Sequence, residues 1–242
     1  MIFQDLKHKC EYYRSLTDYR LLPNAYAIAM VDGRSFSKLI KKRFRLPFDE
    51  SFIRMMNESA KYVCEETEGC ILAFVQSDEV SFLLYDKDNE GTEVGSFFSY
   101  RLSKMTSIIA STMTARFNDL FPADICAHPL ATFDCKVWNV PNQNDAYAWF
   151  LYRQRDCVRN SKQAVAQNVL SHKELVGCNT DEQVLMAKEK GADWETFPEG
   201  QKYGRLIYRD EVVKEKAVRH PFVIHDAPYL LDNREFFNSI IF

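Results

Sequence analysis

Two acidic residues stand where predicted β-strands end, and carboxylates in such positions can bind a divalent metal. Asp32 and Gly33 follow an apolar run over residues 25–31, and Asp78 follows a second apolar run over residues 71–75. Two carboxylates that meet at one sheet edge repel each other unless a cation lies between them, and oxygen ligands suit Mg²⁺. Because glycine has no side chain, a bound ion can approach the Gly33 carbonyl. The sequence therefore predicts a magnesium site formed by Asp32, Asp78 and the carbonyl of Gly33.

Ordinary turns are the alternative explanation of the same residues. An Asp-Gly pair after a strand is common turn chemistry, and Ser77-Asp78-Glu79 is typical of an exposed hairpin tip. Taken alone, each segment is explained by a turn. Only their convergence at one edge, with Glu79 adjacent, favours a metal site, so both interpretations stay open at this point.

A long predicted helix carries cationic side chains that could bind phosphates. Arg101 and Lys104 are three residues apart and share a helix face, which Ser107 continues. Arg and Lys can neutralise the charge that moves during phosphoryl transfer, so this face is a candidate triphosphate site. A solvent-exposed helix face is the competing interpretation.

The elements that must position these residues alternate between strands and helices. Apolar runs predict strands, and helical spacing predicts helices, in the order strand 25–31, helix 50–67, strands 71–75 and 80–85, helix 96–118 and strand 131–138. This βαββαβ order predicts an α+β fold, a ferredoxin-like or polymerase-palm sheet with helices on one face. In such a sheet the first two strands run parallel on either side of the third, so Asp32 and Asp78 leave it at the same edge.

The second half of the chain has a different pattern. Residues 142–190 are predicted to be helical with an interruption near Gly177, and the tail from Asp193 mixes short strands and loops. A basic loop is predicted after the first strand. We expect a palm-like catalytic domain over residues 1–140 and a mainly helical C-terminal region over residues 141–242 that completes the catalytic unit.

Composition excludes several classes of protein. The 242 residues are 46% hydrophobic and 27% charged, which excludes a disordered, collagen-like or coiled-coil chain. The formal net charge of −3 gives no overall attraction to nucleic acid or anionic membranes, although residues 38–45 and 153–162 are locally basic. No apolar run is long enough to span a membrane. The seven cysteines form no Cys-x-x-Cys pair, which is typical of a reducing cytoplasm.

Other site motifs are absent or weak. Neither a GxxxxGK[ST] nor a GxGxxG motif occurs, which argues against a P-loop or a dinucleotide fingerprint. Cys126, His128 and Cys135 have the right chemistry for zinc, but their spacing matches no standard zinc motif.

Several short motifs, in a fixed order from about Asp18 to Tyr208, resemble the tRNA-His guanylyltransferase family. They are VDGRSFS at 31–37, PFD at 47–49, QSDEVSF at 76–82, RLSK at 101–104, FDCK at 133–136 and RQRDCVRNS at 153–161. Eukaryotic members have His-Ile-Asn-Asn where this chain has Val-Arg-Asn-Ser at 158–161. That segment and SHKEL at 171–175 resemble the archaeal and bacterial branch, the Thg1-like proteins.

The resemblance implies a polymerase-palm enzyme that extends RNA in the 3′-to-5′ direction. In this family a tRNA 5′-monophosphate is activated with ATP, and the 3′-hydroxyl of an incoming nucleoside triphosphate, such as GTP, then attacks the adenylylated end. Two Mg²⁺ ions assist both transfers. The branch implies template-dependent repair of truncated tRNA 5′ ends, with guanosine addition to tRNA-His as the related reaction. A homotetramer is also implied, with no membrane partner.

The resemblance assigns roles residue by residue. The implied catalytic residues are Asp32, Asp78 and Glu79, and the implied metal ligands are Asp32, Gly33 and Asp78. The expected nucleotide-binding residues are Gly33, Arg34, Ser35, Phe36, Ser77, Arg101, Lys104 and Ser107. The expected RNA-binding residues are Lys41, Lys42, Arg43, Lys136, Arg153, Arg159, Asn160 and Lys173. Lys136 replaces an arginine common in the family, which keeps the charge but loses a forked contact.

Two other functions use the same features. A palm-type nucleotidyl cyclase would share the metal edge but would not need the motifs at 153–161 and 171–175. A non-catalytic tRNA-binding protein would not need the carboxylates. Extension of a truncated tRNA distinguishes these alternatives.

Overall fold

The computed structural model describes residues 2–87, 91–92, 95–121, 130–214 and 217–241, and a six-stranded sheet lies at its centre. The sheet order is β4-β1-β3-β2-β5-β8. The strands are β1 (Tyr26–Gly33), β2 (Cys70–Gln76), β3 (Glu79–Leu84), β4 (Phe133–Val140), β5 (Arg205–Arg209), β6 (Val212–Lys214), β7 (Ala217–Arg219) and β8 (Phe222–Asp226). The helices are α1 (Ile2–Ser15), α2 (Phe36–Arg43), α3 (Glu50–Glu66), α4 (Leu102–Asp119), α5 (Gln143–Val169), α6 (His172–Leu175), α7 (Thr180–Glu189), α8 (Glu199–Lys202) and α9 (Arg234–Ile241).

The four strands of the first half have the predicted order. Within β4-β1-β3-β2 every pair of neighbours is antiparallel, so β1 and β2 run parallel on either side of β3. With α3 between β1 and β2 and α4 between β3 and β4, this is the βαββαβ arrangement, and the predicted palm-like α+β fold is confirmed.

The two faces of the sheet are covered by helices from different halves of the chain. On one face α3 and α4 pack against the sheet, with an aromatic cluster of Phe36, Phe52, Phe117 and Phe133. The other face, which includes Phe74, is covered by α5 and α9. The helices predicted within the first half therefore lie on one face, and the second half supplies the cover of the other.

The second half also extends the sheet itself. β5 pairs antiparallel with β2, and β8 pairs antiparallel with β5. A separate hairpin, β6–β7, joins these two strands. The sheet thus runs without interruption from the expected palm region into the expected C-terminal region. Gly177, in the left-handed region with φ +85°, lies between α6 and α7, where the sequence predicted an interruption.

Two local predictions were wrong. The helix predicted from residue 96 begins at Leu102, because the backbone before it pairs with the segment after α1: Leu21 N donates to Tyr100 O at 2.9 Å, and Leu102 N donates to Tyr19 O at 2.9 Å. The basic segment predicted as a loop contains α2, whose residue Phe36 is anchored in the core. Helix α1 was not predicted from the sequence either.

None of the described helices is long and apolar enough to cross a membrane.

Candidate functional site

The structure brings Asp32 and Asp78 to the same edge of the sheet. Asp32 lies opposite Glu79 in the β1–β3 register, and Asp78 lies in the turn that joins β2 to β3. The backbone of the two segments is directly joined, because Gly33 N donates to Asp78 O at 3.1 Å. The convergence predicted from the strand order is therefore present. We call Asp32, Asp78, Glu79 and Asp134 the carboxylate edge.

Local backbone constraints fix this edge. Ser77 adopts a left-handed conformation with φ 44° in the two-residue turn, and its Oγ donates to Asp78 Oδ1 at 3.0 Å. A Cβ atom on Gly33 would overlap the ring of Phe36, which is buried behind it. Glycine is thus required at residue 33 by close packing.

Burial and mutual repulsion make the ionised carboxylates costly without a cation. Burial raises the pKa of Asp78 to about 6, and the charges of Asp32 and Glu79 add to the effect. Burial also raises the pKa of Asp32, and the charge of Asp134 adds to it. A divalent cation would offset both penalties, so the donor set fits Mg²⁺.

The number of carboxylates available to one ion is small. Among the described residues no group of three or more His, Cys, Asp or Glu side chains is arranged to hold a metal. Two carboxylates, the Gly33 carbonyl and oxygens from water or a phosphate are the type of ligand set that Mg²⁺ commonly takes.

Glu79 is bound by an arginine of α5, the helix that covers this face of the sheet. Arg153 of α5 forms two contacts with it, Nε to Oε1 at 2.7 Å and Nη2 to Oε2 at 2.5 Å. Arg153 Nη1 also donates to Asp156 Oδ2 at 2.7 Å. The Arg153 side chain is only 13% exposed. Arg153 therefore lies against the carboxylate edge and not on the open surface where an RNA contact was expected.

Asp134 is a functional candidate that the sequence analysis missed. It lies directly opposite Asp32 in the β1–β4 register, and Lys136 follows two residues later on the same face of β4. The charge of Lys136 lowers the pKa of Asp32, while that of Asp134 raises it. The signal was present in the FDCK motif, since alternation along β4 places Asp134 and Lys136 together.

A cavity of about 200 Å³ adjoins the carboxylate edge at Gln76 and Ser77. Asn160, expected to bind RNA, lines this cavity from α5. Most of its wall is apolar, which suits a flat ring. The wall residues are Ile40, Arg45, Leu46, Pro47, Phe48, Asp49, Phe52, Ile53, Gln76, Ser77, Cys157, Asn160, Ser161, Ala164, Gln201 and Arg205. Sequence reasoning did not single out Arg205 or Gln201, which come from the distant segment around β5.

A basic surface borders the carboxylate edge on the side of α2. Lys41, Lys42 and Arg43 are exposed on this helix, as expected of residues that contact a polyanion. Arg34 and Lys38 line a neighbouring cleft of about 480 Å³. We call these five residues the α2 surface.

The residues that begin α2 divide into exposed and buried positions. Ser35 is exposed with φ 59°, and Arg34 N donates to Thr132 O at 2.9 Å. The Phe36 ring is 2% exposed, so any contact between Phe36 and a nucleotide would involve its backbone.

Arg101, Lys104 and Ser107 lie away from the carboxylate edge of the same chain. Arg101 is the N-cap residue of α4, and Lys104 and Ser107 lie in its first two turns. The last turns of α4 contact the start of β4 through Asn118 and Thr114. Eighteen helical residues span about 27 Å. Only the C-terminal end of α4 lies near the carboxylate edge, whereas Arg101 and Lys104 lie at its N-terminal end. The expectation that these cations flank the metal site is therefore wrong within one chain.

These cations line a separate cleft of about 620 Å³ with the end of α1, which we call the α4 cleft; its residues are Glu11, Arg14, Ser15, Thr17, Asp18, Arg101, Ser103 and Lys104. Arg101 is paired there with Asp18, Nε to Oδ1 at 3.2 Å. Lys104 Nζ lies 5.8 Å from the centre of the Phe98 ring, and Ser107 Oγ donates to Lys104 O at 3.1 Å.

Three remaining expectations concern residues elsewhere. Arg159 pairs with Asp156 at 2.8 Å, and Lys173 is exposed on α6. Cys126 and His128 lie outside the described residues. Burial raises the pKa of the Cys135 thiol to about 12, which keeps it protonated and disfavours metal binding.

Comparisons with known proteins agree with this geometry. The family model described as "tRNAHis guanylyltransferase" (Thg1) matches residues 7–141, more than half of the chain. A bacterial tRNA(His) guanylyltransferase (Thg1)-like protein solved in complex with ATP has a TM-score of 0.88 and 27% identity, and the match covers 98% of this chain and 99% of that chain. A structure of such a bacterial protein in complex with GTP has a TM-score of 0.81, 27% identity and the same coverage.

The curated sequence relatives are longer than this chain. The tRNA(His) guanylyltransferase 1 of Arabidopsis thaliana is 27% identical over 229 residues, which are 88% of this chain but 38% of that protein. The tRNA(His) guanylyltransferase of Neurospora crassa is 26% identical over 216 residues, 82% of this chain and 71% of that protein. This chain therefore spans well under half the length of the Arabidopsis relative.

Proposed function

Because this chain belongs to the tRNA(His) guanylyltransferase family, a family of nucleotidyltransferases, we propose that it adds nucleotides to the 5′ end of tRNA in the 3′-to-5′ direction. The substrate class is a 5′-truncated tRNA or tRNA-His, and a template base directs the addition.

The proposed reaction consists of two phosphoryl transfers. The tRNA 5′-monophosphate attacks the α-phosphorus of ATP, which gives an adenylylated 5′ end and releases pyrophosphate. The 3′-hydroxyl of an incoming nucleoside triphosphate then attacks the activated 5′ phosphate, which releases AMP. Such transfers depend on positioning and on stabilising moving negative charge.

The convergence of Asp32 and Asp78 is the observation that carries this proposal. Both carboxylates are partly desolvated, and the Gly33–Asp78 backbone hydrogen bond of 3.1 Å holds them at one edge. Asp32, Asp78 and the Gly33 carbonyl would hold Mg²⁺, which when bound supplies Lewis-acid stabilisation of the phosphates. Glu79 supports the edge through its pair with Arg153.

The adjoining cavity is the proposed site for the purine ring of a nucleoside triphosphate. Its apolar wall can stack against a base, and Ser77 connects the cavity to Asp78. The similar bacterial proteins were solved in complex with ATP and with GTP, which supports nucleotide binding by this chain. A base in this cavity places its phosphates within reach of the carboxylate edge.

The α2 surface is the proposed path of the RNA backbone. Lys38 and Lys42 are spaced i, i+4 on one helix, an unfavourable pairing of like charges that a phosphate backbone would offset. Binding should then weaken as salt rises. This local surface explains how a chain of net charge −3 can bind a polyanion.

Assembly into a homotetramer is also part of the proposal. The side chains of Leu6, Tyr12 and Tyr13 on α1 are each more than half exposed, which is typical of an interaction surface. A second copy docked there would bring another subunit to the α4 cleft and give Arg101 and Lys104 access to nucleotide phosphates. A reducing compartment such as the cytoplasm fits the free thiols of the described cysteines.

Complementation tests this assembly. Lys104→Ala and Asp78→Asn subunits, each defective alone, should regain extension activity when mixed and reassembled, because one subunit retains the metal edge and the other the lysine. Light scattering gives the oligomeric state of the mixture. No recovery in a mixed tetramer would place Lys104 and Asp78 in one functional site of one chain.

The proposed function is tested by an extension assay. A tRNA that lacks its first nucleotide is incubated with labelled nucleoside triphosphates, and the template base opposite the missing position is varied through all four. Template-matched growth of the 5′ end is expected. A cyclic product from nucleoside triphosphate alone would indicate a cyclase, and tight tRNA binding without growth would indicate a non-catalytic protein.

A further inference from the structure

The cavity beside Ser77 contains a buried arginine that the proposed chemistry does not use. Arg205 is the first residue of β5 and is only 6% exposed. Its Nε donates to Asn57 Oδ1 at 3.1 Å, and its Nη1 donates to Gly200 O at 2.9 Å. These two neutral acceptors fix the guanidinium between α3 and α8.

Among the residues that the structure describes, this guanidinium forms no direct ion pair, and the nearby charges of Asp226 and Glu50 act on it without contact. In contrast, the Arg153 side chain, which is 13% exposed, forms ion pairs with two carboxylates, those of Glu79 and Asp156. The Arg205 Nη2 donates to no protein acceptor among the described residues. A buried cation with unused donors is costly, so a ligand acceptor in the cavity is expected to complete it.

A second group of the cavity wall is also incomplete. The buried Oε1 atom of Gln76 has no hydrogen-bond partner among the described residues, although its Nε2 donates to Glu79 Oε1 at 3.1 Å. The wall therefore offers one unused cationic donor and one unused acceptor. A ligand with a carbonyl oxygen beside an N–H group matches this pair.

Guanine and hypoxanthine carry that combination, because a carbonyl at C6 adjoins the N1–H. Adenine has an amino group at C6, which is itself a donor and cannot accept from the guanidinium. Arginine also donates to guanine O6 in other recognition sites.

We infer that Arg205 is a specificity-determining residue that makes this cavity prefer 6-oxopurine nucleoside triphosphates to adenine nucleotides. The inference rests on the proposed function, since it takes the cavity to be a nucleotide site. It adds a named residue and a direction of preference to that site.

The test compares four nucleotides by calorimetric titration without RNA. GTP and ITP share the C6 carbonyl, whereas ATP and the triphosphate of 2-aminopurine riboside lack it. GTP and ITP should bind at least about fivefold more tightly than the other two, the lower end of the cost of leaving a buried donor without an acceptor. Equal binding of ATP, or binding of the 2-aminopurine nucleotide as tight as that of ITP, would overturn the inference.

Substitutions test whether the base preference depends on Arg205 and whether the nucleotide binds in this cavity. Arg205→Met should reduce the preference to less than about twofold, and Arg205→Lys should retain part of it because the charge remains. Arg209→Met is the matched control on the same strand, since Arg209 is exposed and bonds His220 O outside the cavity; its preference should be unchanged. Ala164→Trp, which fills the cavity, should weaken all four nucleotides.

The outcomes separate this inference from the proposed function. If Arg205→Met does not fold, as judged by its thermal unfolding, the nucleotide panel with the unaltered protein still decides the base preference, and Ala164→Trp decides the location. A preference for GTP without tRNA extension would contradict the proposed function but not this inference. tRNA extension without any preference for nucleotides with a C6 carbonyl would contradict this inference but not the proposed function.

Discussion

Two arginine–carboxylate pairs in this molecule have similar geometry and opposite surroundings. Arg153 and Glu79 meet at the carboxylate edge with side chains 13% and 10% exposed. Arg101 and Asp18 meet in the α4 cleft with side chains 44% and 34% exposed. Both arginines contact both oxygens of their partner.

The two pairs show that the contribution of an ion pair to stability depends on how deeply the fold buries it. At the carboxylate edge, three paired strands and α5 exclude water, so each charge strongly affects its neighbours. In the α4 cleft the same ion types are hydrated and screened. We therefore expect mutations at the edge to have large effects and mutations in the cleft to have small effects on stability.

The largest expected effect is on folding. Arg153→Met should lower the free energy of unfolding by about 3–5 kcal/mol, because Glu79 would remain buried without its partner. Urea unfolding measures this loss, and the double variant with Glu79→Gln should recover much of it. A loss below about 1 kcal/mol, as for exposed pairs, would contradict the distinction between the two regions.

The next effect is on catalysis. Asp78→Asn should reduce the rate of 5′ extension by about 10²–10³-fold, by analogy with the loss of other electrostatic stabilisers. The thermal midpoint should stay the same or rise, because repulsion with Asp32 is relieved. Asp181→Asn, which removes an exposed carboxylate on α7, is the control and should leave the extension rate unaltered. Retained turnover in Asp78→Asn would exclude the metal assignment.

Close packing at the edge predicts a smaller loss. Gly33→Ala should lower the free energy of unfolding by about 1–3 kcal/mol, because its Cβ would overlap the Phe36 ring. Thermal unfolding measures the change. Gly177→Ala is a useful comparison, since space around that glycine is open and only its φ of +85° is unfavourable. If Gly33→Ala has unaltered stability and extension rate, the packing argument fails.

The smallest effect is expected in the α4 cleft. Arg101→Met should change the free energy of unfolding by no more than about 1 kcal/mol, because its pair with Asp18 is exposed. Urea unfolding at low and high salt checks this, and the difference from the unaltered protein should shrink as salt increases. A loss comparable with that of Arg153→Met would remove the contrast between the two pairs.

Much of the fold could be predicted because its signals are local. The apolar runs ending at Asp32 and preceding Ser77 define β1 and β2, and helical spacing defines most of α3 and α4. The start of α4 could not be predicted, since it depends on backbone pairing between residues 19–21 and 100–102. A helix pattern does not reveal a competing hydrogen-bond partner 80 residues away.

The candidate site divides in the same way. Asp32 and Asp78 were found because each is attached to the end of a recognisable strand. Arg205 and the partnership of Arg153 with Glu79 were missed, because they depend on α5 and β5 folding back onto the sheet. Asp134 was visible in its motif, but its importance depends on lying opposite Asp32.

The sequence by itself determined the strand order of the palm, the shared edge of Asp32 and Asp78, and membership of a family with those motifs. Only the tertiary structure decided which charges are buried, which are paired and which lie at the far end of α4. The physical reason is that periodicity and turn chemistry act between neighbours in the chain, whereas desolvation and ion pairing depend on what the rest of the fold brings alongside.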